Sequence, residues 1–352
     1  MTALAELPLR GPAGEPVDFR RTLLSHGVAA LPPAAIDEDA LTLTVTLVAE
    51  GGARTVRVTG LGRAGTGGGP DEGPPRTGCG APQGAPPVAL ARVVDGGPPP
   101  GAAAAAALAS SLRRMLCLDD DLSPFYARAA GDPALAWACA GAGRMVRGPS
   151  VFEDVVKTVC TTNCAWSATE RMVTALVGRL GEPAPGAPRD GAAGRAFPTP
   201  AVMAAAGDTF YKDVARAGYR GRRLRSLAAA VACGDVNLEE LYDAPAAELP
   251  DAEVERRLLL LPGVGPYAAA HVMMLLGRHS RLVLDSWSRP RYARLAGRPA
   301  GKLVPDATMR RRFRPYGPFA GLAFWLFVTR DWVDERSVAP GEAPGEEGGR
   351  RA

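Results

Sequence analysis

The chain is short of amines. Of its 41 basic residues only Lys157, Lys212 and Lys302 are lysines. Covalent catalysis through a Schiff base, which needs an amine nucleophile, is thus confined to three positions. Cysteine is sparse as well: six are scattered at 79, 117, 139, 160, 164 and 233, and none forms a Cys-x-x-Cys pair. Cys160 and Cys164, one helical turn apart, read as small buried residues in preference to a metal or redox pair. No apolar stretch is long enough to span a bilayer, so no membrane partner is expected. Met1 to Gly14 lacks a basic segment followed by an apolar one, so no secretory leader is evident and a cytoplasmic location is expected. There is also little excess charge. A net charge of +4 is compatible with a polyanionic partner without demanding one, so local clustering matters more. Arg220, Arg222, Arg223 and Arg225 form one dense basic segment, which serves either as a solvated helix start or as a contact to phosphate.

What is present suffices for two domains: 352 residues, 47% of them hydrophobic. Residues 40–48 alternate apolar side chains with threonine, the pattern of a half-buried strand. Segments 54–60 and 87–94 read as further strands. Between them, residues 63–86 are too rich in glycine and proline to bury much surface and are expected to be disordered. The pattern then turns helical. Ser150 with Glu153 and Ser167 with Glu170 predict capping boxes, and Thr199-Pro200 predicts a capped helix start. Gly181, Gly234 and Gly277 are expected to close helices. The predicted fold class is α+β: a small antiparallel sheet domain over residues 1–104, then a mainly helical domain over 105–336 with about nine or ten helices. A Gly/Glu/Pro-rich tail over 337–352 is expected to be disordered.

The most informative segment is Leu261-Pro262-Gly263-Val264-Gly265-Pro266-Tyr267, followed 18 positions after the tyrosine by Asp285. Apolar runs flank it on both sides, which predicts helix, hairpin, helix. Pro262 and Gly263 set a tight turn, and Gly265 is expected to need a backbone conformation closed to other residues. N–H groups at such a turn and at the start of the next helix can hold a phosphate.

The hairpin with its downstream aspartate resembles the signature of the helix-hairpin-helix DNA glycosylase superfamily. Other segments resemble it too: Leu116 to Phe125, Pro149 to Glu153, Gly218-Tyr219-Arg220 with Arg222, and Tyr316 to Ala323. The likeness is clear over about 105–335 and weak over the sheet. A small sheet domain before a helical domain is also how the AlkA-type and 8-oxoguanine-type members are built. The resemblance implies damaged double-stranded DNA as partner, a monomeric protein, and base excision as function. It implies Gly263, Val264, Gly265, Asn163, Arg220 and Arg222 as DNA contacts, with Asn163 as the residue that fills the gap left by an extruded base. It also implies a monovalent cation (K+ or Na+) on the backbone carbonyls of Leu259, Leu261 and Val264, with no cofactor required for the chemistry. Some relatives carry an iron–sulfur cluster on four C-terminal cysteines; no cysteine follows Cys233, so none is expected here.

Cleavage between a base and deoxyribose passes through an oxocarbenium-like state, which a nearby carboxylate stabilises while orienting water. Asp285 is the candidate; as a structural residue it would cap the helix that follows. Bifunctional members carry a nucleophilic lysine where this chain has Tyr267, and AlkA-type members carry an aromatic residue there. The resemblance therefore implies a monofunctional enzyme that removes alkylated purines, of the 3-methyladenine type. Tyr267, Tyr316, Phe324 and Trp166 are candidates for an aromatic base pocket. The 8-oxoguanine members read the base edge with a glutamine where this chain has Phe324. An oxidised-base glycosylase with altered recognition, and a non-catalytic DNA-binding or damage-sensing protein, are the alternatives.

Overall fold

The computed structural model describes residues 1–60, 87–299 and 301–333. The expected disordered insertion over 63–86 and the tail over 337–352 lie outside the described residues. Five antiparallel strands form one sheet: β1 (Thr2–Pro8), β2 (Ala34–Asp37), β3 (Thr42–Ala49), β4 (Gly52–Gly60) and β5 (Val88–Val93), in the order β1-β5-β4-β3-β2. In β3 the alternation sends Leu43, Val45 and Leu47 into the sheet's core. Thr46 is buried as well, and its hydroxyl meets that of Thr55 across the strand pair at 2.9 Å. β1 and β2 carry little of the β-branched signal that marks the others. β1 is rich in alanine and is held by its register on β5, and β2 has only four residues.

The helix Ala102–Met115 lies on the sheet and buries Leu108, Leu112 and Met115 in the same core. The rest of the described chain is helical and builds two further cores. One gathers Val151–Thr161, Trp166–Leu180 and Arg220–Ala232; the other gathers Ser123–Ala129, Asp306–Phe313 and Ala320–Thr329. Between the two runs the helix Pro266–Leu275, buried from Ala268 onward. Its Ala268, Ala269, Val272 and Met273 belong to the first core, and its Ala270, Met274 and Leu275 to the second. No described helix is long and apolar enough to cross a membrane.

Local signals held unevenly. Ser150 accepts from the Glu153 N–H at 3.2 Å, but the Glu153 carboxylate turns to Lys157 instead of closing the box. Thr199 caps its helix as expected. The predicted box at Ser167 is not there: the helix starts at Trp166, and Glu170 accepts from the Trp166 indole at 2.8 Å. Gly234 and Gly277 have the left-handed φ of helix ends, 85° and 77°. Gly181 has φ −75° and ends its helix for another reason: a Cβ there would strike the Ala196 carbonyl.

Buried polar contacts from the segment after β1 join the sheet to the helices. Glu15 accepts from the fully buried Arg144 at 2.9 Å, and Arg144 also donates to the Asp120 carbonyl at 3.1 Å. Ser25 accepts from the Val146 N–H at 3.1 Å, and its carbonyl accepts from the Trp325 indole at 2.9 Å. Removing one member of a buried pair strands the other charge, at a cost of about 3–5 kcal/mol. Glu15→Ala should therefore lower the denaturant midpoint by that measure, while Glu240→Ala, at an exposed pair with Arg257, should change stability by under about 1 kcal/mol. Equal effects in the two variants would contradict the joining role given to Glu15.

Candidate functional site

The hairpin forms where the helix Asp251–Leu259 gives way to Pro266–Leu275. Leu261 and Val264 turn inward and are buried, while Leu260 is 71% exposed at the tip. The Val264 N–H closes the turn on the Leu261 carbonyl at 3.1 Å. Gly263 has φ 92°, and a Cβ there would lie 3.1 Å from Val159. Gly265 corrects the expectation from sequence: its φ of −106° and ψ of −175° are open to any residue, and a Cβ would meet nothing within 4 Å. The turn needs one left-handed residue, and Gly263 supplies it. Gly265 instead leaves bare the start of a helix with no side-chain cap.

The Leu259 and Val264 carbonyls accept no hydrogen bond among the described residues, and the Leu261 carbonyl accepts one. The turn thus leaves two carbonyl oxygens, of Leu259 and Val264, without a donor among the described residues.

Beside Gly263 stands the basic segment. Its absent Cβ position is 3.4 Å from Arg223. Arg222 and Arg223 are exposed, and Arg223 lies over the Tyr219 ring at 4.9 Å. Arg220 departs from its predicted role. It is 7% exposed and donates to the carbonyls of Thr162 and Asn163. Through these bonds the guanidinium holds the loop that carries Asn163. Asn163 itself is exposed at φ 48°, in a left-handed conformation that asparagine tolerates better than most residues. The Asn163 side chain lowers the pKa of the Tyr219 phenol next to it.

Tyr267 opens the second hairpin helix and packs against both helical cores, at the seam between them. Its hydroxyl lies 3.3 Å from that of Thr161, and its ring stacks on His271 at 6.1 Å. Burial raises the Tyr267 pKa, and the negative charge of Asp285 raises it further. The phenol is therefore neutral at neutral pH, and the carboxylate is close enough to be felt. Asp285 is half-buried. Its Oδ1 accepts from the N–H groups of Ser288 at 2.6 Å and Trp287 at 3.0 Å, which caps the turn into the helix Ser288–Leu295. Its Oδ2 has no hydrogen-bond partner among the described residues. The capping reading of this residue holds through Oδ1, and Oδ2 is left unused by the fold. The preceding segment is pinned, since the Gly321 N–H donates to the His279 carbonyl at 2.7 Å and a Cβ on Gly321 would strike the Arg281 carbonyl.

Two of the four expected pocket aromatics, Phe324 and Tyr316, are packed into the core. Phe324 is wholly buried between Tyr292 and Phe313, because its helix Ala320–Thr329 is covered on all sides. Tyr316 is 7% exposed and donates to Asp132 at 2.8 Å, so its hydroxyl is already spent. Trp166 is exposed, bonds Glu170 and packs on Gly27. Cys160 is buried and Cys164 half-buried, with the Cys164 thiol on the Cys160 carbonyl, as expected of packing residues.

Sequence reasoning missed the layer under Tyr267. His271 bonds Thr158 through Nδ1 at 3.1 Å and meets His26 edge-on at 5.5 Å; His26 bonds the Val146 carbonyl at 2.7 Å. The four-residue step from Tyr267 to His271 puts both on one helix face and was a usable signal. Burial takes His26 down to about 3 and His271 and His279 to about 4. All three histidines of the chain are thus neutral and buried, and none is offered as a base. Lys157 is no free amine: it is buried, paired with Glu153 at 2.6 Å and bonded to the Leu31 carbonyl.

No family model and no curated protein matches the chain. Solved structures do. A 3-methyladenine DNA glycosylase from Archaeoglobus fulgidus superposes with a TM-score of 0.62 at 19% identity, over 93% of this chain and 98% of that one. An 8-oxoguanine glycosylase/lyase from Clostridium acetobutylicum superposes with a TM-score of 0.61 at 16% identity, over 89% and 92%. The same enzyme in complex with double-stranded DNA gives 0.62 at 14% identity, over 91% and 93%. The chain shares their fold, and the small antiparallel sheet with a mainly helical domain is the fold class expected from sequence.

Gly263→Ala should cost about 1–2 kcal/mol, the penalty of a left-handed residue, while Gly265→Ala should leave the unfolding midpoint within about 0.5 kcal/mol of wild type. Equal losses would mean that the two glycines share one role. Stability should also fall on mild acidification. Each buried histidine takes up a proton near 6.5 when unfolded but only at about 3 or 4 when folded. Their contribution is complete above pH 6.5 and drains as pH falls toward 4. Asp154 runs the other way, since burial lifts it from 3.8 to about 7 and its contribution is lost as pH rises through that value. Three histidines outweigh one aspartate, so the melting temperature should drop between pH 6.5 and 4.5. A rise over that window would show that the imidazoles are not held neutral.

Proposed function

We propose that the protein is a monofunctional base-excision DNA glycosylase that hydrolyses the glycosidic bond of damaged purines extruded from duplex DNA and leaves an abasic site. The observation that carries this reading is the pairing at the seam of the two cores: the Oδ2 of Asp285, which the fold leaves without a hydrogen bond, within electrostatic reach of the neutral Tyr267, a phenol and not an amine at the start of the second hairpin helix. The carboxylate stabilises the cationic sugar and orients the attacking water. Tyr267 cannot act as the nucleophile that an amine would be, so strand cleavage through a Schiff base has no group to start it.

The remaining surface supports the same reading. The bare helix start at Gly265 would hold a phosphate directly, and the carbonyls of Leu259, Leu261 and Val264, the first and last of them without a donor, would hold one through a monovalent cation. Arg222, Arg223 and Tyr219 flank it. Asn163, presented at an exposed tip and braced from beneath by Arg220, fills the space of the extruded base. The Tyr267 ring, stacked on His271, offers an aromatic face to an electron-poor or cationic base, which favours alkylated purines of the 3-methyladenine type. Phe324 and Tyr316 do not contribute a face, and no glutamine stands at the Phe324 position to read an oxidised base.

The test is a panel of duplexes carrying 3-methyladenine, 7-methylguanine or 8-oxoguanine, scored separately for base release and for strand nicking. Release from the methylated duplexes, with nicks appearing only after alkali, is expected. Nicking without alkali would overturn the monofunctional reading. Release from 8-oxoguanine alone would overturn the assignment of substrate, and binding with no release from any lesion would leave a DNA-binding protein in place of an enzyme.

A further inference from the structure

Beyond Asp285 the chain changes electrostatic character. From Arg289 to Arg314 there are nine basic residues and one acidic residue, Asp306, a net charge of +8. The whole chain carries +4, so everything outside this segment sums to −4. The helix Asp306–Phe313 buries Met309 and Phe313 and so turns Arg310 and Arg311 to solvent, with Arg314 exposed just after it. Arg298 and Lys302, in the loop before that helix, are exposed as well. None of these five forms an ion pair with a carboxylate among the described residues; Asp306, whose charge Arg310 feels, is held by Arg289.

Several exposed arginines elsewhere do have acidic neighbours: Arg225 with Asp208 at 2.8 Å, Arg256 with Glu253 at 2.7 Å, Arg257 with Glu240 at 3.0 Å. A helix C-terminus favours nearby cations, which accounts for part of the cluster. It does not account for the loop residues, and Arg310 and Arg314 stand one turn apart, where like charges repel. Repulsion of this kind is relieved by a polyanion.

The face is rigidly tied to the candidate site. Arg289, one turn after Asp285, grips Asp306 through two contacts of 2.8 and 3.0 Å, which fixes the helix Asp306–Phe313 to the start of the helix that Asp285 caps. Arg312 lies flat over Phe327 at 4.2 Å and anchors the other side. We infer that this face is a second nucleic-acid contact, which grips the phosphate backbone of undamaged duplex flanking the lesion, apart from the hairpin. The inference rests on the proposed function for its choice of duplex DNA as the polyanion; the charge and exposure of the face stand without it.

Binding of the full-length protein to an undamaged duplex, followed by fluorescence anisotropy across a salt series, tests this. Each phosphate that the protein ceases to neutralise reduces the slope of log affinity against log salt by about 0.9, so R310Q/R311Q/R314Q should lower it by about 2–3 and weaken low-salt binding about tenfold or more. A control, R57Q/R92Q/R113Q, removes the same charge from the sheet unit and should keep the wild-type slope. Matching melting temperatures exclude misfolding. An unchanged slope in the first variant overturns the inference and leaves an acidic protein as the face's partner; an equal fall in the control also overturns it, since net charge alone would then be the cause. If wild type releases no base from any lesion while the first variant still loses slope, the enzymatic reading fails and the DNA-gripping face stands.

Discussion

The candidate site hangs on one helix that is buried on both flanks. Pro266–Leu275 is the shared wall of the two helical cores, so its small and flexible side chains, alanines and methionines, set how closely the cores approach. Its position fixes three things together. The hairpin at its start faces outward because Leu261 and Val264 are drawn in. Tyr267 stands at the seam because it is the first side chain on the wall. Asp285 returns to the same place because the segment after the helix is clamped against Gly321. A carboxylate and an aromatic residue 18 positions apart meet because the wall between them cannot shift without opening both cores.

The polar layer behind the wall is as telling as the apolar one. Thr158, His271 and His26 form a buried path from Tyr267 back to the segment that ties the sheet to the helices. It is neutral throughout. The proposed stabilisation of positive charge at a sugar needs one negative group and no competing cation, and the described groups at the seam suit it: the Asp285 carboxylate in front, neutral imidazoles behind, and the Lys157 ammonium neutralised by Glu153. The basic groups stand outside, at the hairpin and on the arginine face, where phosphate rather than sugar would meet them.

The fold class was legible in the sequence because its evidence is local. Threonine alternation marks β3, and the hairpin glycines with their apolar flanks mark the two helices. β1 and β2 were not legible, since an alanine-rich strand and a four-residue strand are defined by their partners. The capping by Asp285 could be read from its residue type ahead of a helix. Which aromatics line a pocket could not, because periodicity does not separate a core face from a cleft face; Phe324 and Tyr316 fell on the core side. Arg220 was misread for a related reason: a cluster of arginines in sequence says nothing about which guanidinium turns inward to hold a loop. Gly265 illustrates the reverse, a glycine whose backbone conformation and surroundings would admit any residue.

In the proposed chemistry the free oxygen of Asp285 acts on the sugar while its partner oxygen only holds the turn. Single-turnover base release by Asp285→Asn, measured beside its affinity for the same methylated duplex, separates the two roles. The amide keeps a capping oxygen and loses the negative charge, so release should fall by a factor of about 100 or more, in the range of lost transition-state charge stabilisation, with affinity within a few fold of wild type. Release at the wild-type rate by a folded Asp285→Asn protein would contradict the catalytic role of the carboxylate.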